Sequence, residues 1–287
     1  MSELLINCRL CNSSEIVTLK NIKSPHIPYS YMLYKCNSCN SKFFNPKEHP
    51  ISLDKLYEDF ANDKNKSMLT PTFVRSPHWE HQKNIINKLL NSPIKSVLDI
   101  GCRTGDFLMH FDEKVKKEGV ELSKEYSKIC KDRGLTIYSD FVENIDFNQK
   151  YDTVSCYALL EHIVEPITLI NDLKKLVDKN GLLVILVPWH ECLKEKLLYK
   201  LNIQWHMFSP PEHLNFFSKK ILNQIVTKDG NFKLVKYEYT SGGIFNPFKN
   251  IPVLGKGFSF LMRIYDKSFM NKLPIFDHIF LYYQKIN

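Results

Sequence analysis

Short apolar runs alternate with amphipathic stretches between residues 78 and 187, and this alternation predicts a parallel β-sheet flanked by helices. The predicted strands cover residues 96–100, 120–122, 135–138, 151–157 and 182–187. The predicted helices cover residues 78–90, 105–112, 123–133 and 167–177. Strands that alternate with helices along the chain are typical of an α/β layer fold.

The two ends of the chain follow other patterns. Residues 1–50 lack helical periodicity, and residues 51–77 turn from amphipathic to polar. Further elements are predicted at 219–228 (a helix) and at 232–239 and 278–285 (strands). The predicted division is a small module at 1–50, a connector or lid at 51–77, and a main domain at 78–287 with a basic aromatic insert at about 241–276.

Four cysteines in the first module stand in two identical spacings. The pairs are Cys8 with Cys11 and Cys36 with Cys39, separated by 24 residues. Two thiolates at i and i+3 reach one ion from a tight turn, and two such turns complete the tetrahedral four-thiolate shell that Zn²⁺ favours. An asparagine, which tolerates the left-handed backbone of such turns, follows each pair. The spacing predicts a structural zinc site, with an iron–sulfur centre as the alternative.

A glycine-bearing turn follows the predicted strand at 96–100. Its residues, Gly101 to Gly105, lie between the strand and a predicted helix, where a backbone can approach a ligand closely. Glu121 follows Asp99 by 22 residues, at the end of the next predicted strand. An acid at this place can accept hydrogen bonds from two ribose hydroxyls, so the pattern predicts a nucleoside-binding site.

The stretch at residues 97–108 (VLDIGCRTGDFL) resembles motif I of class I S-adenosylmethionine-dependent methyltransferases. The resemblance implies a Rossmann-like fold with a mostly parallel seven-stranded sheet, and S-adenosylmethionine as the methyl donor. The residues it places at the donor site are Asp99, Gly101, Cys102, Arg103, Gly105, Glu121, Leu122, Asp140, Phe141 and Tyr157. Arg103 stands where the motif usually has Gly, so its side chain either points out of the turn or contacts the donor or the substrate.

Two further segments extend the resemblance. Residues 159–163 (LLEHI) and 211–214 (PEHL), together with the cysteine module, are similar to methyltransferases that carry an N-terminal zinc-binding domain, including nucleotide-sugar C-methyltransferases and enzymes of surface-polysaccharide gene clusters. This similarity implies that His162 is the catalytic base, that Glu161 orients it or binds substrate, and that His213 is a second candidate base. Leu159 replaces the family's Tyr, which favours O- or N-methylation. The sequence shows no second metal-ligand spacing.

Composition and charge favour one class of acceptor molecule. With 44% hydrophobic and 24% charged residues over 287 positions, the chain has the composition of a folded globular protein. Residues 191–287 hold 14 Lys or Arg against 7 Asp or Glu, so most of the net charge of +8 falls in the last third. A basic region after the fifth strand favours an anionic small acceptor, such as a nucleotide-sugar or a phosphorylated glycan precursor.

Two other functions remain open. A ribosomal RNA methyltransferase would also combine zinc with basic charge, although residues 1–50 lack the clustered Lys and Arg of RNA-binding modules, and no stable nucleic-acid complex is expected. A non-enzymatic zinc-containing binding protein is the third hypothesis. No apolar run approaches the roughly 20 residues that a membrane span needs, and the N-terminus is not typical of a signal peptide. We expect a cytoplasmic monomer or homodimer, with contact to the inner membrane face as a further option.

Overall fold

The computed structural model describes residues 7–46, 76–240 and 276–287. The predicted connector at 51–77 and the basic aromatic insert at 241–276 therefore lie almost wholly outside the described residues. The strands, in chain order, are β1 (Ile16–Lys23), β2 (Ser30–Cys36), β3 (Lys42–Phe44), β4 (Ser96–Ile100), β5 (Lys116–Val120), β6 (Thr136–Tyr138), β7 (Tyr151–Tyr157), β8 (Val177–Pro188), β9 (Asn215–Phe216), β10 (Phe232–Thr240) and β11 (His278–Lys285). The helices are α1 (Ser76–Leu89), α2 (Lys124–Asp132), α3 (Pro166–Leu176), α4 (Leu193–Lys200) and α5 (Lys219–Thr227).

Seven strands form the central sheet, in the order β10-β11-β8-β7-β4-β5-β6. Strands β4 to β8 pair in parallel, whereas β11 pairs antiparallel with both β8 and β10. The mostly parallel seven-stranded sheet expected from the sequence is thus confirmed. Strand β8 is buried from Gly181 to Pro188, which accounts for its continuous apolar run.

Local sequence signals explain the ends of several helices. The Ser123 hydroxyl accepts a hydrogen bond from the Tyr126 N–H and caps α2, and the Ser218 hydroxyl caps α5 through the Ile221 N–H. Gly134 follows α2 with a φ of 79°, the left-handed conformation expected of a C-terminal cap. These caps fix where each helix begins or ends relative to the sheet.

Three predicted elements differ from the structure. The strand expected at 182–187 is β8, which already begins at Val177 and ends at Pro188. The helix expected at 105–112 is only a 3₁₀ turn, Leu108–His110, because Phe111 adopts an extended backbone directly after it. The strand expected at 120–122 is β5, which begins at Lys116 and ends at Val120. Because its first residues are charged, the apolar pattern along the sequence did not indicate where this strand begins. Glu118 is nevertheless buried in the sheet, where the hydroxyl of Tyr151 donates a hydrogen bond to its carboxylate.

A second sheet carries the cysteine module. Strands β1, β2 and β3 form an antiparallel sheet that β9, from much later in the chain, completes at the edge of β3. Phe44 packs edge-to-face against Phe208 and Phe216, with ring centroids 6.4 and 5.9 Å apart. All three rings are buried, so the module shares a hydrophobic core with the main domain.

Within the parts of the chain that the structure describes, no helix is long and apolar enough to cross a bilayer.

Candidate functional site

The glycine-bearing turn follows β4 at the carboxyl edge of the central sheet. Three alternate residues, Gly101, Arg103 and Gly105, take left-handed φ values of 72°, 54° and 72°. A Cβ atom on Gly105 would lie 2.3 Å from Leu135 Cδ1, so this position also needs glycine for lack of space. The turn therefore keeps the close backbone path that the sequence predicted.

Glu121 lies directly after β5 and faces this turn. One carboxylate oxygen accepts a hydrogen bond from the Arg103 N–H at 2.9 Å, and the other accepts one from the Ser123 N–H at 2.8 Å. Burial raises the pKa of Glu121, and the two backbone donors partly offset this effect. The carboxylate is thus fixed beside the turn, in the position that the sequence analysis predicted for a ribose-binding acid.

The side chain of Arg103 packs against α2. Its guanidinium carbon lies 5.4 Å from the centre of the Tyr126 ring, and Nη2 donates to the Tyr126 hydroxyl at 3.4 Å. The departure from Gly at this position is therefore accommodated by a partner on the following helix.

The side chains of Asp99 and Cys102 are packed in the interior next to the turn. Both side chains are buried, and Asp99 accepts a hydrogen bond from the Ser155 hydroxyl at 2.7 Å. Burial raises the pKa of Asp99 to about 7. A Cβ atom on Gly119 would lie 2.5 Å from Cys102 Sγ, so the thiol fills the space over that glycine.

The remaining predicted donor-site residues follow β5, β6 and β7. Leu122 and Phe141 are 39% and 49% exposed, an unusual degree for apolar side chains at the edge of a buried sheet, and they suit contact with an aromatic base. Asp140 accepts hydrogen bonds from the Phe141 N–H and the Asn144 amide, which lower its pKa. Tyr157 instead stacks on Trp79 with ring centroids 5.3 Å apart, and its buried hydroxyl has no hydrogen-bond partner among the described residues.

Glu161, His162 and His213 meet next to this edge, after β7. One ligand atom from each residue lies within 4.8 Å of the others, and the two imidazole centroids are 4.8 Å apart. Glu161 Oε1 is 4.0 Å from His162 Nε2. The sequence predicted each of these residues as catalytic, and the structure brings all three together as one cluster, which we call the acceptor cluster.

Two backbone carbonyls set the orientation of the imidazoles. His162 Nδ1 is 2.8 Å from the Glu212 carbonyl oxygen, and His213 Nδ1 is 2.8 Å from that of Met207. Because a carbonyl accepts but cannot donate, Nδ1 carries a proton in each ring. The backbone carbonyl of Ala158 is a second hydrogen-bond partner of the His162 ring. Burial lowers the pKa of His162 to about 4 and that of His213 to about 3, so both rings are neutral at pH 7.

Glu161 is buried in the same cluster. Only 1% of its side chain is exposed, and Oε2 has no hydrogen-bond partner among the described residues. Burial raises the pKa of Glu161 to about 8. A buried carboxyl group beside two neutral imidazoles suits proton transfer, binding of a polar substrate group or binding of a cation.

Asn215 holds the two halves of the acceptor cluster together, a role that sequence reasoning missed. Its side-chain amide donates to the carbonyl oxygens of Leu160 and Ile163 at 3.2 and 2.7 Å. The N–H groups of Leu214 and Asn215 both donate to the carbonyl oxygen of Glu161. The only signal in the sequence was the position of Asn215 next to the PEHL segment, which does not indicate the partner some 50 residues earlier.

The four cysteines of the N-terminal module converge as predicted. All four sulfur atoms lie within 4.8 Å of one another, with Cys8 Sγ 3.6 Å from Cys39 Sγ and Cys11 Sγ 3.5 Å from Cys36 Sγ. Four ligands at about 2.3 Å from a tetrahedral zinc ion would be about 3.8 Å apart. Asn12 and Asn40 take left-handed φ values of 58° and 61°. The donor set and its spacing therefore fit a zinc ion.

A cleft of about 680 Å³ opens between the cysteine-module sheet and α4. Four lysines and two glutamates contribute to its lining, and these charged residues are Lys35, Lys42, Lys196, Lys200, Glu191 and Glu195. Lys42 and Glu195 are paired at 2.7 Å, so the remaining charges are mostly positive. Part of its lining, His190 and Glu191, follows β8 in the sequence. It was not predicted as a unit, because its residues come from distant parts of the sequence.

Comparison with known proteins shows the family to which the central domain is similar. The family model described as a methyltransferase domain matches residues 64–237, which is more than half of the chain. A ubiquinone biosynthesis O-methyltransferase of Proteus mirabilis (strain HI4320) is 33% identical over 97 residues, and a tRNA U34 carboxymethyltransferase of Nautilia profundicola is 31% identical over 111 residues. The matched regions cover 30% and 36% of this chain, and 39% and 37% of the length of those two relatives.

Among solved structures, the plantazolicin methyltransferase BpumL, in complex with a triazolic desmethylPZN analog and SAH, aligns with 82% of this chain and 91% of its own. The TM-score is 0.52 and the identity 16%, so this likeness concerns the fold alone. It supports the Rossmann-like arrangement of the central sheet.

Proposed function

The chain belongs to the methyltransferase-domain family, and from this premise we propose that it transfers a methyl group from S-adenosylmethionine to a hydroxyl of a small phosphorylated or nucleotide-linked sugar in surface-glycan biosynthesis. The observation that carries the proposal is the position of the acceptor cluster. It lies after β7, at the same carboxyl edge of the sheet as the turn after β4 and as Glu121 after β5.

The donor side is assigned to the turn and its surroundings. Glu121 is placed to accept hydrogen bonds from the ribose hydroxyls, and the exposed rims of Leu122 and Phe141 are placed to contact the adenine, with Asp140 beside them. S-adenosylmethionine, when bound, supplies an activated methyl group on a sulfonium sulfur. The chain's own task is to hold that group in line with the acceptor oxygen.

The acceptor side is assigned to the acceptor cluster. His162 is assigned as the base that accepts the proton of an acceptor hydroxyl, and the Glu212 carbonyl, which accepts a hydrogen bond from Nδ1–H, fixes the orientation of its ring. Glu161 and His213 are placed to orient that hydroxyl. Leu159 packs against Gly101 rather than supplying the hydroxyl of a Tyr, which supports an oxygen rather than a carbon acceptor.

An anionic acceptor is supported by the lysines of the cleft after β8. Four lysines face two glutamates there, and one of those glutamates is already paired with Lys42. A phosphate or diphosphate would be attracted to such a surface. Oxygen methylation in particular is also the activity named for the ubiquinone relative.

The direct test is transfer of labelled methyl groups to a panel of nucleotide-sugars by the wild type, by His162→Ala and by His206→Ala as a matched control outside the acceptor cluster. We expect one acceptor to be labelled and His162→Ala to lose at least ~100-fold in turnover, as for loss of a general base. Binding of SAH measured by calorimetry should be unchanged in both variants. Full activity of His162→Ala would contradict the assigned role, and absence of SAH binding by the wild type would contradict the function.

An RNA acceptor is the second candidate, because one relative is named as a tRNA carboxymethyltransferase. The same assay with total RNA as acceptor separates the two candidates. Label in RNA and none in any nucleotide-sugar would favour the RNA acceptor.

We also propose that the four cysteines hold a structural zinc ion and that residues 1–50 form its module, joined to the main domain at 78–287. A four-thiolate shell leaves no open position for a substrate, so this ion would act on folding rather than on catalysis.

A further inference from the structure

We propose that α4 and the residues directly after it form a surface that docks on an anionic phospholipid bilayer. This surface comprises residues 193–203, and we call it the α4 face. The contact is peripheral, because the apolar side chains enter only the boundary between headgroups and acyl chains while the lysines meet the lipid phosphates. Docking of this kind does not depend on which molecule accepts the methyl group.

The α4 face carries the most exposed apolar side chains in the part of the chain that the structure describes. The four large aliphatic residues with the greatest exposure all lie there, and a half-exposed tyrosine accompanies them. They are Leu193 (54%), Leu197 (58%), Leu201 (58%) and Ile203 (50%), with Tyr199 at 45%. Single exposed apolar residues are ordinary, but a group of them within eleven positions marks a surface that meets an apolar partner.

The apolar residues of α4 point away from the protein. Glu195 is buried and Leu198 packs against the hydrophobic core, so these two side chains define the inner side of the helix. At about 100° per residue, Leu193 and Leu197 lie on the opposite side. The Leu201 N–H donates to the Leu197 carbonyl, so the row of leucines at every fourth position continues past the end of the helix. A helix packed only against its own domain would turn this row inward.

The charges of the α4 face favour an anionic partner. Lys196 and Lys200 are exposed beside the leucines, and neither has an ion-pair partner among the described residues. The acid of this segment, Glu195, is buried and already paired with Lys42 at 2.7 Å. Anionic headgroups would balance the two free lysines, whereas a second copy of the same face would bring lysine against lysine.

Two further features suit the depth of a lipid headgroup layer. Lys20 Nζ lies 5.1 Å from the centre of the Tyr199 ring, which adds a third ammonium group at the rim of the leucines. Lysine keeps its charged end among the headgroups while its stem covers apolar surface, and tyrosine is enriched at the same interface. An apolar centre with a lysine rim is the arrangement of helices that lie in a membrane surface.

The cleft beside α4 remains free for an acceptor in this arrangement. Of the four lysines that line it, Lys196 and Lys200 are exposed, whereas Lys35 is half-buried and Lys42 is buried. The exposed pair is therefore placed to meet lipid phosphates. Lys35 and Lys42 lie further inside the protein surface, where an acceptor phosphate would be attracted.

The test is co-sedimentation of the full-length protein with vesicles, without methyl donor or acceptor. One set of vesicles contains phosphatidylcholine with about 30% phosphatidylglycerol, and the other contains phosphatidylcholine alone. We expect the wild type to sediment with the anionic vesicles, far less with the neutral ones, and to be released at high salt concentration. Leu197→Ser removes a leucine from the contact and should weaken binding about tenfold. Lys196→Gln combined with Lys200→Gln should weaken it about tenfold or more.

Each change has a matched control outside the α4 face. Ile286→Ser replaces an apolar residue that is 40% exposed, and it should bind vesicles like the wild type. Lys128→Gln combined with Lys131→Gln removes the same two charges from exposed positions of α2, and it should also keep its binding. Because every substituted side chain lies at the surface, all variants are expected to fold, which circular dichroism checks.

Four results would overturn the proposal. They are no sedimentation of the wild type with anionic vesicles, equal sedimentation with neutral ones, wild-type binding by Leu197→Ser, and an equal loss for both lysine pairs, since net charge would then determine binding. Light scattering tests the other occupant of this surface: a wild-type dimer that Leu197→Ser dissociates would assign the α4 face to a second copy and would also overturn it. Neither methyl transfer nor SAH binding is measured, so failure of the proposed function would leave this result unaffected.

Discussion

Arg103 shows how one residue can break a sequence motif without breaking the site. A left-handed backbone at a residue with a side chain costs roughly 1–2 kcal/mol, which is why the motif usually has glycine there. Here φ is 54°, and the guanidinium packs on Tyr126 while the backbone N–H donates to Glu121. The strained residue thus connects the turn, Glu121 and α2.

Asp99 gives a prediction about pH at the same scale. Burial raises its pKa from 3.8 to about 7, so folding favours the protonated form. The contribution of Asp99 to stability is therefore largest below about pH 4, falls as the pH rises toward 7 and is level above it. Asp99→Asn keeps the acceptor for the Ser155 hydroxyl and removes the charge. We expect the free energy of unfolding of this variant to exceed that of the wild type by up to a few kcal/mol at pH 8. The difference should be much smaller at pH 5.

Thermal unfolding without methyl donor, followed by circular dichroism at both pH values, measures this difference. Asp146→Asn, at an exposed carboxylate, is the matched control and should change little. An equal gain for Asp99→Asn at pH 5 and pH 8 would contradict the assigned cause.

At the scale of elements, β9 is only two residues long, yet it joins the cysteine-module sheet to the acceptor cluster. It pairs with β3 on one side, and the same segment donates from the N–H groups of Leu214 and Asn215 to the carbonyl of Glu161 on the other. His213 immediately precedes these donors. The orientation of the acceptor cluster therefore depends on the edge strand of the cysteine-module sheet.

Asn215→Ala tests this dependence. The substitution removes two donors to the carbonyls of Leu160 and Ile163 in a fully buried place, so we expect a loss of about 1–3 kcal/mol in the free energy of unfolding. Methyl transfer should fall more than SAH binding, because the displaced groups lie on the acceptor side. Urea unfolding and calorimetry measure the two effects, with Asn148→Ala, at an exposed position, as the control. Unchanged turnover would show that Asn215 does not position the cluster.

The sequence predicts elements well where burial is uniform along a strand. The predicted bounds of β4, β7 and β11 match the structure because most residues of each strand are buried in the central sheet. Strand β5 begins four residues earlier than predicted because it opens with two lysines and a glutamate whose burial depends on partners elsewhere. A strand as short as β9 has no periodicity at all, so only its pairing identifies it.

In the candidate site, too, local features were predictable from the sequence and long-range contacts were not. The cysteine spacing and the turn after β4 are local, and both predictions agree with the arrangement of the described residues. The acceptor cluster joins residues 51 positions apart, and the lysines of the cleft come from β2, β3 and α4. Such contacts are set by how the two sheets pack, which spacing along the chain does not encode.

At the scale of the whole molecule, the cysteine module and the main domain are fastened at several points. The Ser218 hydroxyl donates to the Cys39 carbonyl at 2.7 Å, the Asn40 amide donates to Glu191 at 2.6 Å, and Lys42 pairs with Glu195. The first of these contacts joins a cysteine turn to the residue that caps α5, five positions after His213. Loss of the metal is therefore expected to reach the acceptor cluster.

Cys36→Ser tests this link. We expect it to contain about one zinc ion per chain fewer than the wild type, and to lose methyl transfer more than SAH binding. Cys130→Ser, whose hydroxyl can replace the thiol as donor to the Arg103 carbonyl, is the matched control and should keep its zinc. Elemental analysis, labelled transfer and calorimetry give the three readouts. A Cys36→Ser protein with normal zinc content, or with normal turnover after losing it, would contradict the link.

The pairing of β3 with β9 also determines which segments can be exchanged between related proteins. Phe44 from the cysteine module packs among Phe208 and Phe216 of the main domain, and β9 finds its hydrogen-bonding edge on the module. A chimera that took residues 7–46 from one relative and the remainder from another would mismatch both the rings and the strand. A chimera is therefore expected to fold only if the cysteine module and residues 205–218, which include His213, are exchanged together.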